Sequence, residues 1–285
     1  MVELQSVDVS RVHAAFLEAF ADYAMGSPAD LTEERLLLRM RKNAVDYGLS
    51  VGAYEGGRMV GFTLIGVDAW GGRRVAYDAG TGILPAYRGR GLARGMFEHA
   101  LSTLVDRGVE EFVLEVLQEN APAIKAYKKA GFMTARELRS FVAPISAITG
   151  SAPSEWALHP IDPAQFERVA KEIDWLPSFE NRVSAVRSIP DDVSLVGAFD
   201  GEECIGAYAY SAPLRWLLSL VVRRSHRRHG AGRALLVHAA EHVPEGVTRV
   251  AALNVDGADL GMQEFLTRLG FTPLVDQFEM RRPIS

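Results

Sequence analysis

Residues 51–62 read VGAYEGGRMVGF and residues 196–207 read VGAFDGEECIGA, so one stretch of this chain occurs twice. Val51, Gly52, Ala53, Gly56 and Gly61 recur as Val196, Gly197, Ala198, Gly201 and Gly206, while Tyr54, Glu55 and Val60 recur as Phe199, Asp200 and Ile205. Each copy is an apolar run, an acidic-glycine turn and a second apolar run, the pattern of a β-hairpin. Further on, Arg88-Gly89-Arg90-Gly91 is matched by Arg227-Arg228-His229-Gly230, and Gly131-Phe132 by Gly270-Phe271. The spacing between matches falls from 145 to 139 residues, a six-residue deletion where the first copy reads AWGGRR, itself a hairpin tip. Several matches in one order with one small gap imply a duplicated domain. A length of 285 residues suits two domains of about 140 residues each.

The seam is placed near 143–155, APISAITGSAPSE, which is rich in Pro, Gly, Ser and Ala and has no periodicity. That divides the chain into 1–148 and 149–285, with the alternative that a strand ending at Phe141-Val142 still belongs to the first domain. In the first copy, periodicity predicts helices over 8–25 and 31–46, then strands over 49–54, 59–66 and 74–84. A helix over 90–107, a strand over 111–117, a helix over 121–130 and a strand over 132–142 follow. The second copy repeats the later part, with strands at 214–222, 248–255 and 271–281 and helices at 231–242 and 258–269. The expected class is α/β, each half a mixed, partly antiparallel sheet flanked by helices.

The stretch GTGILPAYRGRGLARGMFEHAL concentrates the chemistry. A strand ends at Pro85, and a loop rich in glycine and arginine then opens a helix. A helix N-terminus offers unpaired backbone N–H groups and the positive end of a dipole. Gly89 and Gly91 let the backbone approach an anion without Cβ clashes, and Arg88 and Arg90 add charge, which makes a pyrophosphate cradle. The Gly-Lys-Ser/Thr ending of a nucleotide triphosphate loop is absent. A dinucleotide GxGxxG fails because Arg94 stands at its third glycine. What fits is Arg-x-x-Gly-x-Gly/Ala, as Arg88-Gly89-Arg90-Gly91-Leu92-Ala93, and again as Arg227-Arg228-His229-Gly230-Ala231-Gly232.

In this pattern the chain resembles the GNAT N-acetyltransferase superfamily, in tandem form. The resemblance implies that acetyl-CoA binds on this loop, with backbone groups of Ile83 and Leu84 pairing with the pantetheine. It also implies that Asn120 contacts the pantetheine or the start of the next helix. In NAPAIKAYKKAGF it places Tyr127 near the CoA sulfur, where a phenol can protonate the leaving thiolate. The transfer it implies is direct, in a ternary complex with an amine, and no nucleophilic Ser or Cys is required. Asp78 and Glu115 are the carboxylates available to accept the amine proton. A carboxylate in an apolar strand is costly unless paired, so Glu115 is either functional, or an outward-facing residue of the sheet or a partner for an arginine, and Asp78 is read in the same way.

The second copy departs from the first. Counting back from Gly270 places Leu266 opposite Tyr127, Asn254 is aligned with Asn120, and LRWLLSLVVRR has no acidic residue to match Asp78. Its loop, with Arg227, Gly230 and Gly232, either binds CoA without transfer or only supports the first half. Two other functions are open at this point: a non-catalytic acyl-CoA sensor and a nicotinamide-dependent oxidoreductase. A net charge of −5 argues against a nucleic-acid partner. The single cysteine and seven scattered histidines give no metal site. No apolar run reaches the roughly 18 residues of a membrane span, and the first residues lack a leader pattern. The expected partner is a small-molecule or peptide amine, the expected location the cytoplasm, and the expected state a monomer with an internal pseudo-dimer or a homodimer.

Overall fold

The structure, a computed structural model, describes residues 1–21, 31–148 and 155–284. The first half runs β1 (Glu3–Ser6), α1 (Val9–Ala19), α2 (Glu33–Lys42), β2 (Val51–Glu55), β3 (Arg58–Trp70), β4 (Arg73–Ile83), α3 (Leu92–Asp106), β5 (Glu111–Leu117), α4 (Ala121–Lys129) and β6 (Met133–Pro144). The second runs β7 (Ala157–Pro160), α5 (Pro163–Ala170), α6 (Ala185–Ser188), β8 (Ser194–Asp200), β9 (Glu203–Ser211), β10 (Trp216–Val222), α7 (Ala231–Glu241), β11 (Arg249–Asp256), α8 (Leu260–Arg268) and β12 (Thr272–Pro283). Residues 22–25 of the first expected helix, and 149–154 of the expected linker, lie outside the described residues. Among the described residues no helix is long and apolar enough to cross a membrane.

Local chemistry sets the element ends. Asp8 caps α1 by accepting from Ser10 N, and Thr32 caps α2 by accepting from Arg35 N. In α2 the acidic residues Glu33 and Glu34 open the helix and Arg39, Arg41 and Lys42 close it, which suits the helix dipole. The β2–β3 and β3–β4 turns place Gly56-Gly57 and Gly71-Gly72 at positive φ, as two-residue hairpin turns demand. The deletion between the copies trims this second hairpin: β3 and β4 have 13 and 11 residues, β9 and β10 nine and seven. β1 and β7 escaped the sequence reading because they are short edge strands with little apolar alternation, held by ladders to β2 and β8.

The chain forms two compact units, Met1–Ala135 with Phe278–Ser285, and Arg136–Gln277. Unit 1 has strand order β1-β2-β3-β4-β5-β12, and unit 2 has β12-β6-β11-β10-β9-β8-β7. This division differs from one at 148/149. Leu138 to Pro144 of β6 run antiparallel to Arg249–Asp256 of β11, so that strand serves unit 2. The last residues serve unit 1: Met280 is fully buried in its core, Ile284 N donates to Glu110 O (2.9 Å), and Arg282 donates to Ala130 O (2.7 Å). A Pro/Gly-rich linker marks where a chain loops; it does not reveal which sheet the flanking strands join.

Two irregularities shape unit 1. Against β3, β4 shifts register so that Ile65 pairs with Asp78 but Leu64 with Gly80, which leaves Ala79 as a bulge. Against β5, the parallel ladder covers only Val75–Tyr77 with Glu111–Val113. Beyond it the two strands part. Unit 2 repeats both features, with Leu218 bulged and a β10–β11 ladder limited to Trp216 and Leu217.

Candidate active site

Asp78 is the first residue of β4 past the end of the β4–β5 ladder. It is 7% exposed, and burial pushes its carboxyl up from 3.8 to about 6. Three donors oppose that push. Thr81 Oγ1 lies 2.8 Å from Oδ2, Gly80 N donates to Oδ1 (3.0 Å), and the Tyr127 phenol hydrogen-bonds the carboxylate. Tyr127 comes from α4, and its ring is wedged among Phe97 and Phe132 at centroid distances of 5.8 and 6.0 Å. The structure thus joins two residues that stand 49 positions apart in sequence. Glu115 is elsewhere: it accepts from the phenol of Tyr77 (3.0 Å), and Tyr77 faces the side of β4 opposite to its neighbour Asp78. Glu115 is half-buried on the other face of the sheet from Asp78, and its partner is a tyrosine where an arginine was expected.

The loop after β4 keeps itself open at its tip. Arg88 donates from Nε to Ile83 O (3.2 Å) and from Nη2 to Ala19 O (2.8 Å), so its guanidinium anchors the loop to β4 and to the end of α1. Arg90 donates to Ala86 O (2.8 Å) and lies over the Tyr87 ring, whose hydroxyl donates to Glu55 (2.6 Å). Gly89 and Gly91 have φ of 76° and 78°, and a Cβ on either would meet nothing within 4 Å. Gly91 is the N-cap of α3, with no side-chain cap and no acidic residue in the first turn, so the N–H groups around Leu92 and Ala93 face a clear, positive approach. Asn120 caps α4 by accepting from Ala123 N (3.1 Å). Of the two residues expected along the pantetheine, Leu84 has its N–H bonded to Val60 O (3.0 Å). Ile83 is in the non-hydrogen-bonded pair with Gly61, which turns its own amide and carbonyl away from β3, the carbonyl towards the Arg88 guanidinium.

The acetyltransferase (GNAT) family profile matches residues 13–132 and again 156–271. The chain belongs to the GNAT family. Among curated proteins, a streptothricin acetyltransferase from Streptomyces lavendulae is 37% identical over 76 residues, which is 27% of this chain and 39% of that protein. A mycothiol acetyltransferase from Saccharomonospora viridis is 39% identical over 83 residues, 27% of each chain. The [ribosomal protein bS18]-alanine N-acetyltransferase of Escherichia coli K12 is 40% identical over 57 residues, 20% of this chain and 38% of that protein. The chain thus spans less than two-fifths of the length of each of these relatives. A GCN5-related N-acetyltransferase from Sphaerobacter thermophilus has the same fold at a TM-score of 0.75 and 17% identity, covering 99% of this chain and 96% of that one. A tandem GNAT protein from the clavulanic acid biosynthesis pathway reaches 0.72 at 16%, covering 100% and 99%.

The second GNAT copy repeats the frame with different side chains. Arg227 donates to Val222 O (2.9 Å) and Glu172 O (2.8 Å), as Arg88 does to Ile83 and Ala19, and it also pairs with Asp174. Gly230 caps α7 at φ 90°, and Gly232 follows in the first turn against Phe265. Arg228 holds φ 68° where unit 1 has Gly89, a strained setting for a side chain. In the bulged strand Leu217 and Leu220 stand for Asp78 and Thr81, Tyr208 stands for Thr63, and Leu266 for Tyr127. Asn254 corresponds to Glu115 in β11, not to Asn120. The residue in Asn120's place is Asp259, which caps α8 by accepting from Met262 N (2.9 Å). Aligning by residue type alone caused that misreading, since Asp and Asn cap helices equally well. Thr63 and Thr81 were missed altogether. The signal that could have found them is the glycine pair at 80 and 82, because glycine inside a strand marks a bulge or a close approach.

Proposed function

We propose that unit 1 transfers an acetyl group from acetyl-CoA directly to an amine within a ternary complex. The observation that carries this reading is a buried carboxyl with a pKa near 6, hydrogen-bonded to a phenol where two parallel strands separate. The residues fit the cosubstrate: the uncapped start of α3 and Gly89–Gly91 suit a pyrophosphate, and the Ile83 amide, turned away from β3, suits a carbonyl of an extended arm. When bound, acetyl-CoA supplies an activated acyl carbon. Asp78 takes the proton of the attacking amine as the nitrogen bonds that carbon. Tyr127 gives its proton to the sulfur as the carbon–sulfur bond breaks, and the Asp78–Tyr127 hydrogen bond returns a proton to the phenol. The test is thiol release from acetyl-CoA across a panel of amines that includes streptothricin and a peptide beginning with alanine. Tight acetyl-CoA binding with no acetylated product from any amine would instead favour a sensor.

Tyr127→Phe keeps the ring in its aromatic cluster and removes one hydroxyl. Turnover is expected to fall by roughly 10–10³-fold with little change in KM for acetyl-CoA. Wild-type turnover in steady-state assays would leave the thiolate to water. Unit 2 is proposed as a supporting copy. Gly230→Glu, placed at the cap of α7, is then expected to leave turnover within about twofold of wild type, since that unit lacks both proton-handling groups. A loss as large as that from the same change in the first loop would mean that both copies work.

A further inference from the structure

We infer that Thr81 and Thr63 form a positioning chain that holds the Asp78 carboxyl in one orientation for proton transfer; this rests on the reading of Asp78 as the base. Residues i and i+3 of a regular strand face opposite sides of a sheet. The bulge at Ala79 cancels that alternation, so Asp78 and Thr81 share a face and their side chains meet at 2.8 Å. Thr81 pairs across the ladder with Thr63, their hydroxyl oxygens 3.0 Å apart, and Thr63 is fully buried with Met96 Sδ at 3.9 Å. Gly80 N fixes the other carboxylate oxygen.

The chain serves both protonation states of Asp78. Each threonine has one hydroxyl proton and can also accept. With Asp78 ionised, Thr81 donates to Oδ2 and receives from Thr63. With Asp78 protonated, the acid proton is the one handed to Tyr127, and Thr81 keeps its donation to Oδ2 while receiving from Thr63. Thr81 is paired in both states, so the carboxyl gains and loses a proton without swinging away from Tyr127. The groups set against Asp78 are the Tyr127 phenol from α4, Thr63 from β3 and Thr81 on its own strand, and the phenol is the titratable one among them.

Unit 2 is an internal control. It builds the same bulge and the same parting of strands with Leu217, Leu220, Tyr208 and Leu266 at the four positions. Neither hydroxyl is therefore needed to form the bulge. The two threonines, Thr63 buried and Thr81 half-buried, occur where the carboxylate occurs, and tyrosine and leucine replace them where it is absent.

The test uses the full chain carrying 13C-labelled aspartate carboxyls, with Asp78→Asn to assign the resonance, alongside kcat and KM measured with acetyl-CoA and the reactive amine. Thr81→Val is expected to move the carboxyl titration and the acidic limb of the pH–rate profile to higher pH. It is also expected to lower kcat about tenfold, the worth of a hydrogen bond to a charged group, with KM for acetyl-CoA unchanged. Thr81→Ser restores both, and Thr63→Val moves both in the same direction by less. A Thr81→Val protein with the wild-type titration overturns the chain, as does a fall in kcat that serine does not rescue. If valine prevents folding, Thr81→Ala is read by the same two measurements. Wild-type turnover in Asp78→Asn would refute the base itself, while the carboxyl titration of Thr81→Val still decides the chain.

Discussion

Gly91→Glu yields a folded protein that no longer binds acetyl-CoA. Gly91 sits at φ 78°, where a side chain adds strain of about 1–2 kcal/mol. Nothing lies within 4 Å of the new Cβ, so the side chain enters the space in front of α3 without displacing the core. Its carboxylate then occupies the positive end of the helix, where the phosphates are proposed to lie, and can itself accept from the free N–H groups. Two like charges about 4 Å apart near a protein surface repel by about 4 kcal/mol, roughly a thousandfold in affinity. Titration calorimetry against Gly91→Ala, which carries the strain but no charge, separates the two effects. Undiminished affinity in the glutamate variant would remove this loop from the binding site.

Asp78→Asn has opposite effects on rate and stability. Turnover is expected to drop by about 10²–10⁴-fold, the range of a positioned base. In the wild-type protein the rate falls as pH drops through about 6, where Asp78 takes up a proton. Stability follows the same group with the opposite sign. The folded state binds this proton more tightly than the unfolded state, so unfolding free energy declines as pH rises from 3.8 to about 6. Above that window the ionised, buried carboxylate costs about 3 kcal/mol, at 1.36 kcal/mol for each pH unit. Asparagine cannot ionise, so the variant is expected to melt higher than wild type at pH 8 and to lose most of that advantage near pH 4. Melting differences that are equal at both pH values would refute the buried-charge account.

These effects trace to parts of the site that were unequally visible in the sequence. Gly89 and Gly91 were legible because positive φ and close approach leave few alternatives to glycine. Tyr127 and Asp78 were legible only as separate residues; their meeting depends on how α4 packs against β4. The Thr63–Thr81–Asp78 chain was invisible because a strict period of two puts Asp78 and Thr81 on opposite faces, and a bulge leaves no apolar pattern of its own. Arg88 was read as charge for the ligand, yet its donors go to backbone carbonyls, a matter of loop geometry that residue type does not encode. The exit of β6 and the return of β12 depend on ladder pairing between distant residues, which a linker's composition cannot report.

That return has a bearing on how the protein is made. The half holding Asp78 and Tyr127 is translated first, yet Met280 in its core and Ile284 on Glu110 are added more than 140 residues after β5. A nascent chain therefore carries Asp78 and Tyr127 in an unfinished sheet until synthesis has passed through the other half. Any message cut short before codon 278 gives a product in which the N-terminal half lacks a strand, however well its own sequence is preserved. Gene fission at the linker would do the same to both fragments. A duplication that began as two separable copies has become a single unit of synthesis and inheritance.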